Sequence, residues 1–88
     1  MYKINYSKQA TKDIEKLKQS NLSEKAKELV KTIKNNPYQY PPKFEKLEGN
    51  LQGFVSRRIN QKHRIVYKVD EENKTVNIYS MWTHYENI

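Results

Sequence analysis

Cysteine is absent from this sequence, which removes disulfides and thiolate-ligated metal sites and fits a reducing compartment. Glycine is scarce: with only Gly49 and Gly53 there is no glycine-rich cradle for phosphates. Neither histidine, His63 or His84, stands in a His-x-x-His or carboxylate spacing, so no metal and no cofactor are expected. No apolar run approaches the roughly 20 residues that span a bilayer. The start, Met1 to Tyr6, lacks a signal-peptide pattern, so a cytoplasmic protein without a membrane role is expected. A length of 88 residues points to one domain over 1–88 with a small core. Hydrophobic residues make up 35% of the chain, which is lean, but seven tyrosines, two phenylalanines and Trp82 add large area per residue.

Arginine is missing everywhere except in one stretch of eight residues, where Arg57, Arg58 and Arg64 all lie. The surrounding segment 54–68 also holds Lys62 and Lys68 and contains no acid, for a local charge of +5. Residues 1–34 carry nine lysines and four acids, also +5, while 35–53 balance at zero and 69–88 reach −3. Lysine thus supplies bulk charge, and arginine is kept for one place. Its planar five-donor fork binds phosphate in a bidentate way and stays charged at any working pH. A polyanion such as nucleic acid is the partner this footprint fits, although lysine-rich surfaces also serve solubility alone.

Tyr2, Ile4 and Tyr6 alternate with polar residues and predict a short strand. Ser7 caps a helix to about Gln19, with Ala10, Ile14 and Leu17 on one side. Asn21 and Glu24 have the spacing of a capping box for a second helix, whose stripe is Leu22, Ala26, Leu29, Val30 and Ile33. Asn35-Asn36-Pro37 ends it, and the prolines of 37–43 impose a loop. Short strands follow at Phe44–Leu47, Phe54–Ile59, Arg64–Val69 and Val76–Trp82. Turns separate them at Gly49-Asn50, Asn60–His63 and Asp70–Lys74. The expected class is α+β, order β-α-α-β-β-β-β, with two helices on one face of a mostly antiparallel sheet. Ile14, Leu29, Val30, Ile33, Ile65 and Tyr67 are its expected core.

A nuclease without a metal has a route on RNA, because the 2′-hydroxyl is an internal nucleophile. The protein must accept the 2′-proton, stabilise the phosphorane and protonate the departing 5′-oxygen, which calls for a base, arginines and an acid. Glu45 is a candidate base, against the alternative of a solvated surface glutamate. Alternation sets Arg64 on the face opposite Ile65, Tyr67 and Val69, on the open side of the sheet. Arg57 and Arg58 must face opposite ways, so at most one can join Arg64, and the sequence leaves open which. All three could instead serve to discourage edge pairing. His84 is a candidate proton donor, because an imidazole's ordinary range suits that task, or is an exposed spectator at a chain end. Tyr85 can stack a base or bond phosphate, or simply pack on the surface. His63 reads as structural or incidental, and Trp82 as core or sheet face.

The run from Phe44 to Tyr67, containing Ser56-Arg57-Arg58-Ile59 and His63-Arg64-Ile65-Val66-Tyr67, is followed by His84-Tyr85. In this combination the chain resembles the YoeB/Txe branch of the RelE-type toxins of bacterial toxin–antitoxin modules. The resemblance implies a microbial-ribonuclease-like fold and cleavage of messenger RNA in the A site of the 70S ribosome. It implies as well a cognate YefM-like antitoxin that blocks the site, and is compatible with a homodimer. By the same resemblance Glu45 is the general base, Arg64 the transition-state arginine, His84 the general acid and Tyr85 its adjacent tyrosine. Arg57, Arg58, Lys62 and Lys68 are then expected to contact RNA or ribosome. Two positions depart from the pattern: Glu48, where many relatives have lysine, and Trp82, where a basic residue is common. The competing readings are a non-catalytic toxin of the same fold that inhibits gyrase, and an RNA-binding accessory protein.

Overall fold

The computed structural model describes residues 1–82. Strand β1 (Lys3–Tyr6) leads into helix α1 (Lys8–Gln19), helix α2 (Ser23–Asn35), the short strand β2 (Glu45–Lys46), and strands β3 (Phe54–Arg58), β4 (Arg64–Asp70) and β5 (Thr75–Ser80). A single 3-10 turn, Gly49–Leu51, sits between β2 and β3. The sheet order is β1-β5-β4-β3-β2, antiparallel throughout except that β1 runs parallel to β5. The expected α+β order is found, with two helices on a mixed, mostly antiparallel sheet.

Ser7 caps α1 as its sequence position predicts, its hydroxyl accepting from Ala10 N–H at 3.0 Å. The proposed capping box at Asn21 and Glu24 is not formed. The N-cap of α2 is Leu22, with no side-chain bond. Asn21 instead terminates α1, adopting φ of 59° while Leu22 N–H donates to Leu17 O (3.0 Å) and Asn21 N–H to Lys18 O (3.4 Å). That is the Schellman pattern, and asparagine tolerates its left-handed position better than other side chains except glycine. With three residues between the helices, the end of the first takes the residue that the second would have used.

Ala10, Leu17, Ala26, Leu29 and Ile33 of the helices pack on Val55, Ile65, Tyr67, Val76 and Ile78 of the sheet. Leu29, Ile33, Ile65 and Tyr67 are buried as expected, while Ile14 and Val30 are half-buried against this core. One acid enters it: Asp13, on the inner side of α1, is fully buried. Its carboxylate accepts from Met81 N–H at 2.9 Å and from Gln9 Nε2 at 2.8 Å. The last strand stops at Ser80, two residues short of the expected Trp82, since Met81 and Trp82 are turned out of the ladder toward these side-chain partners.

Candidate active site

Register decides which side chains share a face. In β3 and β4 the directly opposed pairs are Arg58 with Arg64, Ser56 with Val66, Arg57 with Ile65 and Val55 with Tyr67. Glu45 of β2 is paired with Ser56. Opposed residues point the same way, so Glu45, Ser56, Arg58 and Arg64 lie on the face away from the core. They border a cavity of about 310 Å³ that also takes Lys25 from α2 and Lys43 from the proline loop. Four cations and one carboxylate therefore meet in one concavity. Glu45 and Arg58 are exposed, whereas Arg64 is only 8% exposed and Ser56 is buried. The Ser56 hydroxyl has no hydrogen-bond partner among the described residues. Such an arrangement has a base beside clustered donors, and an unused hydroxyl at its wall, suited to an anionic group with an acidic proton nearby.

The question left open between the adjacent arginines is resolved here: Arg58 joins Arg64. Arg57 does not, and its expected contact with RNA or ribosome is corrected by its environment. It is 1% exposed, on the core side of the sheet. Its Nε donates to the Tyr67 hydroxyl (2.9 Å), Nη1 to Pro42 O (2.7 Å), and Nη2 to Pro37 O (3.1 Å) and Gln39 O (2.8 Å). The guanidinium carbon also lies 4.9 Å from the Phe44 ring centroid. Tyr67 completes the set by donating to Pro37 O at 2.7 Å. A loop with three prolines has few backbone donors of its own, so the fork of Arg57 meets carbonyls that would otherwise be unmatched.

His63 is structural. Its ring stacks on Trp82 (centroids 3.7 Å apart, planes 19° apart) and its Nδ1 is hydrogen-bonded to Trp82 O. A carbonyl only accepts, so the proton of that bond sits on Nδ1. Its own carbonyl closes the β3–β4 turn by accepting from Ile59 N–H at 2.8 Å. Asp13 and His63 thus fix Met81 and Trp82, the residues just before the segment that carries His84. His84 and Tyr85 themselves lie outside the described residues. Lys62 is exposed in the turn, and Lys68 is exposed on the open face, its Nζ 5.5 Å from the Phe54 ring. Glu48 borders a different cavity, of about 550 Å³, together with Tyr38 and Lys46.

Sequence reasoning missed Ser56, Lys25 and Lys43 at the cavity and the buried Asp13 on α1. Ser56 was reachable, being two residues before Arg58 on one strand. Lys25 was not, since nothing local tells which lysine of a helix overhangs a sheet.

Comparison with known proteins adds the following. The sequence model of YoeB-like toxins of bacterial type II toxin–antitoxin systems matches residues 6–85. Toxin YoeB of Escherichia coli K12 is 43% identical over 49 residues, covering 56% of this chain and 58% of the relative. The matched stretch therefore spans a little over half the length of that relative. Among solved structures, the YoeB–YefM complex from Staphylococcus aureus superposes with a TM-score of 0.80 at 40% identity, covering 97% of this chain and 99% of that one. The YoeB dimer from Staphylococcus aureus gives 0.80 at 39% identity, covering 96% and 98%.

Proposed function

This chain belongs to the YoeB-like toxin family of bacterial type II toxin–antitoxin systems, and we propose that it is a cytoplasmic, ribosome-dependent endoribonuclease cutting messenger RNA in the A site without a metal ion. The observation that carries this reading is the single cavity in which Glu45 stands among Lys25, Lys43, Arg58 and Arg64. Glu45 accepts the proton of the RNA 2′-hydroxyl as that oxygen attacks the adjacent phosphorus. Arg64 and Arg58 stabilise the extra negative charge of the phosphorane, where preorganised donors contribute most. His84 gives its proton to the departing 5′-oxygen, and Tyr85 contacts the nucleotide beside it. The products are a 2′,3′-cyclic phosphate, which can open to a 3′-phosphate, and a 5′-hydroxyl. Lys62 and Lys68 supply salt-dependent attraction to the RNA of the ribosome. Arg57 has no part in this beyond holding the loop next to Glu45.

The Staphylococcus aureus YoeB–YefM complex supports the proposal that an acidic YefM-like antitoxin neutralises the toxin, and the YoeB dimer supports a homodimer. Charge pairing with so basic a chain (+7) would speed encounter with such a partner. The test treats the purified protein with EDTA, removes the chelator, then incubates the protein with programmed 70S ribosomes and maps the cut and its ends. Cleavage in the A site with a 5′-hydroxyl and a cyclic or 3′-phosphate is expected. Loss of cleavage after the chelator treatment that an added transition metal restores, or a 5′-phosphate product, would overturn the mechanism. Intact messenger RNA with inhibited gyrase would favour the non-catalytic toxin.

A further inference from the structure

The bonds made by Arg57 have a regular pattern along the proline loop. The carbonyls it holds belong to Pro37, Gln39 and Pro42, and the residues between them are Tyr38, Tyr40 and Pro41. Carbonyls at 37 and 39 turn inward, and the side chains at 38 and 40 are left outside. Tyr40 is 69% exposed and Tyr38 40%, although the backbone that bears them is tied down from within. Both rings lean on Phe44, at centroid distances of 6.1 Å for Tyr38 (planes 56° apart) and 6.5 Å for Tyr40 (72°). Phe44 is itself seated on the Arg57 guanidinium. Two large rings are therefore presented to solvent on a rigid base. For burial alone this is a poor use of them, since most of the Tyr40 ring gains nothing from folding.

Cations accompany the rings. Lys46 Nζ lies 5.5 Å from the Tyr38 centroid, and Lys43 is exposed between Tyr40 and Phe44 in sequence. Pro42, Lys43 and Phe44 also border the cavity of Glu45, Arg58 and Arg64, so the aromatic loop is continuous with the cationic concavity. Exposed rings interleaved with lysines, leading into a basic concavity, match what single-stranded RNA requires. Bases stack on aromatic faces and the backbone follows the positive charge.

We propose that Tyr40 and Tyr38 form a stacking platform for a base of the messenger RNA strand adjacent to the phosphate held by Arg58 and Arg64. The inference rests on the ribonuclease reading above for the identity of that strand. Arg57 then has a double value, because the order it imposes is present before RNA arrives and need not be acquired on binding.

Binding is separable from cleavage, which gives the test. A fluorescein-labelled RNA oligomer with 2′-O-methyl groups has no free nucleophile, and its affinity for the purified full chain is read by anisotropy at low salt. Tyr40→Ala should weaken binding by about 5- to 100-fold, the range of a lost base–aromatic stack. Tyr40→Phe should bind within about twofold of the unsubstituted chain, and Tyr40→Leu should resemble Tyr40→Ala, since a flat ring and not a hydroxyl or an apolar mass is needed. The dependence of affinity on salt should be unchanged in Tyr40→Ala but shallower by about 0.7 in log–log slope in Lys43→Ala. Tyr40 is exposed, and an unchanged melting temperature shows that the variants are folded.

Wild-type affinity in both Tyr40→Ala and Tyr38→Ala would overturn the proposal, as would failure of the unsubstituted chain to bind the oligomer. So would a Tyr40→Ala variant that binds RNA normally but loses association with a protein partner or a second copy of the chain. Glu45→Gln separates the two ideas. It should bind the oligomer normally and fail to cut messenger RNA on programmed ribosomes. If it cuts at full rate while Tyr40→Ala still binds weakly, the catalytic assignment falls and the platform stands.

Discussion

Arg57 and Arg58 are neighbours in the chain and have opposite uses. On the core side of the β3–β4 hairpin, Arg57 directs four donor contacts at Tyr67 and the carbonyls of the proline loop. On the other side Arg58 remains exposed and faces a cavity with Arg64 and Glu45. The same functional group builds the scaffold on one face and is available to a ligand on the other. What separates them is not charge or composition but parity along a strand: a step of one residue reverses the side. A cluster of arginines is therefore evidence for a phosphate site only after it has been divided by face.

Substitution should make the contrast measurable. Arg57→Ala removes a donor from four oxygens at once, two of them in buried bonds, and should cost about 3–5 kcal/mol, read as the urea unfolding free energy. In a domain of this size that is a large share of the total, and partial unfolding at physiological temperature is expected. Asp13→Ala comes next. It leaves the buried Met81 N–H without an acceptor and should cost about 1–3 kcal/mol. Arg58→Ala should change stability by no more than about 0.5 kcal/mol, while reducing the salt dependence of ribosome binding by about one unit of slope. Equal destabilisation by Arg57→Ala and Arg58→Ala would break the comparison outright.

The smallest effect concerns pH. Burial raises the Tyr67 hydroxyl above the ordinary tyrosine value of 10.0, although its bond with Arg57 and that positive charge pull it partly back. A proton held more tightly in the folded state gives stability that is complete below the unfolded value and lost as pH rises beyond it. The chain should accordingly keep its alkaline stability up to about pH 10 and lose it above. In a titration followed by tyrosinate absorbance, the last tyrosine should ionise together with unfolding. Full ionisation of all tyrosines in a chain still folded by circular dichroism would contradict this.

Much of the architecture was legible because local rules and burial agree there. Ser7 has a hydroxyl where a cap is needed, and Ile33, Ile65 and Tyr67 follow the period of their elements. Where the sequence misled, a second demand fell on the same residue. Asn21 suits an N-cap, yet the left-handed end of α1 claimed it. The split between Arg57 and Arg58 was readable as a fact of alternation, but its sign was not. That sign depends on strand register, and on a proline loop whose carbonyls come from 15, 18 and 20 residues upstream. Asp13 reads as one more surface acid of a charged helix, because its partner Met81 lies 68 residues away. Glu45 and Arg64 were singled out by residue type, and the register of β2 with β3 is what brings them to one cavity.

The most direct test of the account is the single-turnover rate of messenger RNA cleavage on programmed ribosomes, with ribosome binding and thermal stability measured in parallel. Glu45→Gln and His84→Gln should each slow cleavage by about 10²–10⁴-fold while binding and melting temperature hold. Arg64→Ala should slow it by about 10²–10³-fold. Arg57→Ala, assayed at a temperature where it remains folded, should retain the rate within about tenfold, since it is placed to hold the loop and not the phosphate. Full activity in both Glu45→Gln and His84→Gln, or a loss in folded Arg57→Ala as deep as in Arg64→Ala, would contradict the account.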